Sequence, residues 1–372
     1  MFLFKISICI TFLLFTVSCD SNRLPQNGST NSHQDHTRPL IVLFHGLGAD
    51  ASSFSMLKKQ LEQTFPSASV VALTSIPKEK TALYSIKEQG NKCFTDLSDS
   101  IANLQRPTLL IGHSQGGLRA YNMFDQYKDK LNVKGIITLA TPWEGAPILD
   151  TIDRLNQLDR ITKVKNEALY LEYFTLPVLN DMCTLSYSMG QPTNWIEQEL
   201  VCRLENLVVS EVIAGCYDLK PGSIFLNSIQ DTLSEEEVPI LAIGGGLSDF
   251  KIFLPKESSY ESSYDFKHLN SAWTKIIVGE TDLGETDLDV KDKHDMIVPL
   301  YSQLAWHITN KGNFKRKIIE DALHSKILNE SPIEETKSIL CHPTMVKEVI
   351  QFAKDIFYSD SITSECQAPE YS

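Results

Sequence analysis

The sequence predicts an α/β protein: a mostly parallel sheet flanked by helices, with a cap inserted partway along the chain. Three observations carry this expectation. Short apolar runs recur at Leu40–Phe44, Val70–Leu73, Thr108–Ile111, Val133–Leu139 and Val238–Ile243, as strands buried on both faces require. Stretches with helical spacing lie between the early ones, and alternation of the two kinds favours a parallel sheet wrapped by helices. The rhythm then breaks from about 148 to 237, where clusters such as Leu169-Tyr170-Leu171 and Tyr173-Phe174 occur without a convincing strand.

The elements follow in order. Lys5 is the only charge before an apolar run from Ile6 to Val17, which is too short to span a bilayer and has the form of a signal-peptide core. Ser18-Cys19 follows, and Cys19 resembles a bacterial lipoprotein cleavage site, with Thr16 where that pattern prefers leucine. Residues 1–19 are therefore expected to export the chain. The product would be a bacterial lipoprotein held to a membrane through Cys19, or a periplasmic or secreted protein. Residues 20–38 are polar and aperiodic and read as a disordered tether, with His33 and His36 as solvated linker residues rather than metal ligands.

Residues 39–147 form the first part of the core. Phe54, Leu57, Leu61 and Phe65 mark one helix; Ile86, Cys93, Phe94, Leu97, Ile101 and Leu104 mark a longer one. Residues 148–237 are the cap, closed by Glu235-Glu236-Glu237, read as a solvated loop. Residues 238–358 complete the core. Gly244-Gly245-Gly246 is a flexible strand exit, and Phe250 to Lys293 an irregular polar insertion. The insertion holds the echo Glu280-Thr281-Asp282-Leu283-Gly284 and Glu285-Thr286-Asp287-Leu288, whose spacing does not match a calcium loop. A strand around Arg316 to Ile319 and an amphipathic helix bearing Val346, Val349, Ile350, Ala353 and Phe357 end the core, and 359–372 is a polar tail.

Composition excludes several classes. At 372 residues the chain is long enough for one large domain or two smaller ones, and 42% hydrophobic with 22% charged residues is ordinary for a soluble globular protein. A formal net charge of -13 argues against nucleic acid as a partner and against purely electrostatic docking on anionic membranes. Beyond the export segment lie Cys93, Cys183, Cys202, Cys216, Cys341 and Cys366. An even number in an exported chain is compatible with disulfides, and no C-x-x-C metal spacing occurs. At least one bridge is expected in the middle region that holds Cys183, Cys202 and Cys216.

The chemistry centres on Gly112-His113-Ser114-Gln115-Gly116-Gly117. An apolar strand leads into it, and Ala120, Met123, Phe124 and Tyr127 follow at helical spacing. This is a nucleophile elbow in its context of strand, sharp turn and helix. The glycines leave room for a serine in a strained conformation, and the helix N-terminus favours developing negative charge. A serine hydroxyl needs a base, and the base needs an orienting carboxylate. In the chain order serine, acid, histidine, the candidates are Asp295 and His324. Asp249 and Asp292 compete for the acid, His294 and His342 for the base. Oxyanion donors are expected from the N–H groups of Gln115 and Leu47, with His45 a loop-packing residue. This chemistry requires neither metal nor organic cofactor.

His45-Gly46-Leu47-Gly48, Gly112 to Leu118 and Ala140-Thr141-Pro142-Trp143-Glu144-Gly145 resemble the core motifs of α/β-hydrolase lipases and esterases. Asp218-Leu219-Lys220-Pro221-Gly222-Ser223 with Phe225-Leu226, Asp295-Met296-Ile297-Val298-Pro299 and Leu323-His324-Ser325 are similar to further segments of those enzymes, although Met296 stands where they often carry glycine. The resemblance implies an α/β-hydrolase fold and a serine hydrolase that acts on lipid or other acyl esters through a Ser114–His324–Asp295 triad. The Ser-Gln-Gly-Gly form is also similar to palmitoyl-protein thioesterases, so thioester hydrolysis and acyl transfer stay open beside ester hydrolysis. A non-catalytic lipid-binding protein with the same fold is the reading from another class.

Overall fold

A computed structural model of the chain describes residues 38–78, 80–150, 214–249, 264–279, 289–309, 312–325 and 335–362. The expected export segment, most of the expected tether, Cys183, Cys202 and Cys366, the acidic echo at 280–288 and the tail from 363 lie outside the described residues, as does most of the stretch expected to form a cap.

Among the described residues six strands form one sheet: β1 Leu40–Phe44, β2 Ser69–Ala72, β3 Thr108–His113, β4 Val133–Leu139, β5 Ile240–Gly245 and β6 Phe314–Ile319, in the order β2-β1-β3-β4-β5-β6. Every pairing is parallel. The apolar runs explain this arrangement. Each parallel strand buries side chains on both faces, and β1 is entirely buried. Its residues alternate with period two. Leu40, Val42 and Phe44 enter one core cluster with Leu97, Leu118, Met123 and Leu226. Ile41 and Leu43 enter the other, with Leu57, Leu61, Val349 and Ala353.

The helices divide accordingly. α1 (Ser55–Thr64) and the C-terminal α9 (Pro343–Ile362) cover one face. α3 (Ile86–Ser100), α4 (Gln115–Gln126) and α6 (Ile224–Glu235) cover the other. Single turns α2 (Lys80–Leu83), α5 (Ala214–Tyr217) and α8 (Leu300–Gln303) border the strand ends. α3 starts at a capping box formed by Ser85 and Glu88, which satisfies two donors of its first turn. A third, the Ile86 N–H, donates to the Asp218 carboxylate at 2.7 Å. Asp218, late in the stretch 148–237, is thereby tied to the start of α3.

Two expectations require correction. The insertion is not irregular throughout: Tyr264–Val278 forms helix α7, and Trp273, Ile277 and Val278 are buried in the core. The polar residues around these anchors hide the helical period. The glutamate triplet is not all solvated, because Glu236 is buried. One of its carboxylate oxygens accepts the N–H groups of Glu237 and Val238, each at 2.9 Å, and the other pairs with Lys128 at 3.1 Å. The carboxylate shapes the turn into β5.

The sheet order also locates the site. From β1 the chain steps outward to β2, then returns to place β3 on the other side of β1. In a parallel sheet the carboxyl ends of two such strands open a crevice between diverging connections. The His45–Gly48 loop leaves β1 there, and the elbow leaves β3.

Candidate active site

Ser114 directly follows β3 with φ 54 and ψ -130, and α4 begins at the next residue. An L-residue rarely takes this conformation; the elbow holds it because its neighbours are packed without side chains. A β-carbon on Gly116 would stand 2.1 Å from the Phe44 carbonyl oxygen, and one on Gly112 would stand 2.4 Å from the Gly117 Cα. The strand, the turn and the helix are therefore in backbone contact, which only glycine permits.

His324 lies past β6 and Asp295 between α7 and α8. His324 Nε2 is 2.9 Å from Ser114 Oγ, and His324 Nδ1 is 2.7 Å from Asp295 Oδ2. The other carboxylate oxygen of Asp295 accepts the N–H groups of Val298 and Ile297 at 2.8 and 3.1 Å. The His324 N–H donates to the Asp295 carbonyl at 3.0 Å. Asp295 has no exposed surface, and Ser114 and His324 are nearly buried. With its proton on Nδ1, the imidazole offers Nε2 as acceptor to the serine hydroxyl. The carboxylate beyond it is held in place by its two backbone donors and can stabilise the imidazolium that forms when the serine proton moves.

The structure does not bring the competing residues to this point. Asp249 accepts from Asn270 at 3.0 Å. Asp292 is exposed on a turn with φ 58. His342 pairs with Asp321 at 3.0 Å ahead of α9. His294 is buried with both ring nitrogens used: Nδ1 accepts the Met296 N–H at 3.1 Å, so Nε2 carries the hydrogen to Thr274 Oγ1, also at 3.1 Å. Burial lowers its pKa to about 4. His45 is likewise buried, and burial with the charge of Arg119 lowers it to about 4, which suits a neutral packing residue.

Met296 adopts φ 79. The backbone conformation is one that glycine takes without strain, and the buried thioether side chain enters the core in exchange.

One loop and the first turn of α4 lie beside the serine. A β-carbon on Gly46 would lie 3.0 Å from Ser114 Cβ, so the Gly46-Leu47-Gly48 segment runs directly beside it. The N–H of Gln115 belongs to the first turn of α4, where no intrahelical acceptor exists. The Gln115 side chain is anchored elsewhere, with Nε2 on the carbonyls of Thr81 and Gly215 at 3.0 Å each.

Several supporting residues carried no sequence signal. His113 is buried, and since a carbonyl only accepts, its Nε2 donates to the His324 carbonyl at 2.8 Å. Gln303 is buried and donates to the carbonyls of Gly245 and Val298 at 3.1 and 2.8 Å, while its side-chain oxygen accepts the Gly245 N–H at 2.7 Å. It joins the end of β5 to the loop after Asp295. Arg119 is buried inside α4. Helical spacing alone would direct an arginine outward, and only the close packing of α4 against β1 and α3 explains its position.

A parallel sheet with a strained serine between strand and helix, facing a histidine and a buried aspartate from later loops, defines the α/β-hydrolase fold. The family model described as palmitoyl protein thioesterase matches residues 40–181. No curated protein sequence matches the chain. Among solved structures, the mature lipase BlEst2 of Bacillus licheniformis is 16% identical with a TM-score of 0.41, covering 79% of this chain and 89% of its own. Lipase 1 from Pelosinus fermentans is 11% identical with a TM-score of 0.46, covering 85% and 99%. The naproxen esterase of Bacillus subtilis is 16% identical with a TM-score of 0.41, covering 85% and 83%.

Proposed function

We propose that the chain is an exported serine hydrolase that cleaves carboxylic esters of lipids. The observation that carries this reading is the continuous bond line from Ser114 Oγ through His324 to Asp295. In the reaction, Ser114 Oγ attacks the acyl carbonyl carbon as its proton passes to His324 Nε2. The Leu47 and Gln115 N–H groups receive the oxyanion. The tetrahedral intermediate collapses, the bond to the alcohol breaks, and His324 returns its proton to the leaving oxygen. Water then attacks the acyl-enzyme by the same steps, releasing the carboxylic acid and restoring Ser114.

Thioester hydrolysis is the second reading, supported by the thioesterase model that spans β1 to β4 and the elbow. Transfer of the acyl group to an acceptor alcohol would use the same groups. Export with lipidation at Cys19 rests on the pattern of residues 1–19.

Ser114→Ala in the full chain should lower ester hydrolysis by about 10³-fold or more, and a fluorophosphonate probe should label the wild type at Ser114 only. Unchanged hydrolysis by Ser114→Ala would sink the mechanism. A panel of lipid esters, acyl thioesters and an added acceptor alcohol, read by product analysis, separates hydrolysis of each bond from transfer. Membrane-fraction recovery that is lost in Cys19→Ser tests lipidation.

A further inference from the structure

We infer that Thr81 is a positioning residue for oxyanion stabilisation, acting by holding the Gly46-Leu47-Gly48 loop; the inference rests on the serine-hydrolase reading above. Thr81 lies in α2 and has no exposed surface. Its Oγ1 accepts the Gly48 N–H at 2.8 Å and donates to the Lys78 carbonyl at 2.5 Å. Its own carbonyl accepts from Gln89 Nε2 at 2.8 Å and from Gln115 Nε2 at 3.0 Å. Gln115 is the residue that follows the nucleophile. Gln89 Oε1 in turn accepts from Arg119 Nη1 at 2.9 Å, and Arg119 Nη2 donates to the His45 carbonyl.

These bonds close a ring around the loop. Thr81 holds its far end at Gly48, Arg119 holds its near end at His45, and Gln89 joins the two. His45, Thr81, Gln89, Gln115 and Arg119 are all buried, and hydrogen bonds strengthen where the local dielectric is low. At Gly48 no side-chain packing takes the place of this bond. Gly48 has φ +68, and a β-carbon there would meet nothing within 4 Å. At Gly48 itself the Thr81 hydroxyl is thus the contact that fixes the backbone N–H, while Leu47 packs on the core and the Ala49 carbonyl accepts the Lys78 N–H at 3.0 Å.

Oxyanion donors act only if they are in place when the charge develops. Loosening the loop should therefore reduce kcat and leave KM nearly unchanged. The test uses purified full chain as wild type, Thr81→Val, which keeps the shape and removes the acceptor, and Thr81→Ser, which restores it. A p-nitrophenyl ester reports kcat and KM, a boronic acid serves as a transition-state analogue, and a fluorophosphonate counts active sites. We expect Thr81→Val to lose about 10- to 100-fold in kcat, with KM within about twofold of wild type. Boronic acid affinity should fall by the same factor as kcat. Thr81→Ser should return to within about threefold of wild type, and the acidic limb of the kcat–pH profile should not move, because the His324–Asp295 pair is untouched. If Thr81→Val fails to fold, Thr81→Ala, which removes the same acceptor, takes its place.

Unchanged kcat in Thr81→Val overturns the inference, as does equal impairment of Thr81→Ser, which would show that side-chain volume rather than the acceptor matters. Absence of fluorophosphonate labelling in the wild type overturns the hydrolase reading and this inference with it. A labelled wild type beside a fully active Thr81→Val overturns this inference alone.

Discussion

At the end of β3, Ser114 is held by shape. Glycines 112, 116 and 117 let strand, turn and helix meet at distances where any β-carbon would overlap backbone or the Thr141 side chain. At the ends of β5 and β6, Asp295 and His324 are held by hydrogen bonds instead. The Gln303 side chain spans from Gly245 to Val298, the Asp295 carboxylate collects two N–H groups, and His324 bonds to Asp295 through both backbone and ring. The first arrangement takes its glycines from one short stretch, 112–117, packed on Phe44 and Thr141; the second draws on loops separated by insertions. A steric site tolerates no added atom, whereas a hydrogen-bonded one tolerates a change of element as long as donors and acceptors still match.

Substitutions can break this contrast. The largest effect is expected for Gly116→Ala, whose β-carbon would stand 2.1 Å from the Phe44 carbonyl oxygen. It should cost several kcal/mol, on the order of 3 or more, so thermal melting should show loss of fold and activity together. A Gly116→Ala variant that melted like wild type would remove the steric account of the elbow. Asp295→Asn should separate the two losses. Its side-chain oxygen can still accept from Ile297 and Val298, so the melting midpoint should stay near wild type. Activity should fall by about 10⁴-fold, because an amide favours the wrong imidazole tautomer. Near-normal turnover by this variant would mean that Asp295 does not orient the base.

The smallest effect concerns pH, and it spans both halves. Burial lowers the pKa of His45 and His294 to about 4 and that of His113 to about 3. In the unfolded chain each returns to about 6.5. Below that value the unfolded state binds more protons than the folded one, so stability falls as pH drops from about 6.5 towards 4, and for His113 towards 3; above pH 7 these groups add no slope. The melting midpoint should therefore decline between pH 7 and pH 4. His294→Gln removes one of the three contributions and should make the decline shallower. A midpoint independent of pH across that range would show that these rings are not held neutral.

The elbow was legible because its requirements fall on adjacent residues: an apolar strand, glycines on either side of a serine, and a helical period after it. The strands of β1, β3 and β4 were legible for a related reason, since burial on both faces leaves a continuous apolar run. Helix α7 was hidden because few of its residues carry the period, and the buried Glu236 because a glutamate triplet has the composition of a solvated loop. Arg119, Gln89 and Thr81 lie in three separate elements, and nothing near any one of them signals the others.

What the sequence by itself determined was the alternation of strands and helices, the serine at the elbow, and the chain order in which an acid and a histidine follow. Local sterics and hydrophobic period are written in neighbouring residues, and those suffice for such features. Which aspartate and which histidine meet Ser114, and which polar side chains lock the loop beside it, only the tertiary structure decided. Those choices depend on contacts such as the Ser114–His324 bond, made 210 positions apart along the chain, where the distance in space is set by how the whole sheet packs.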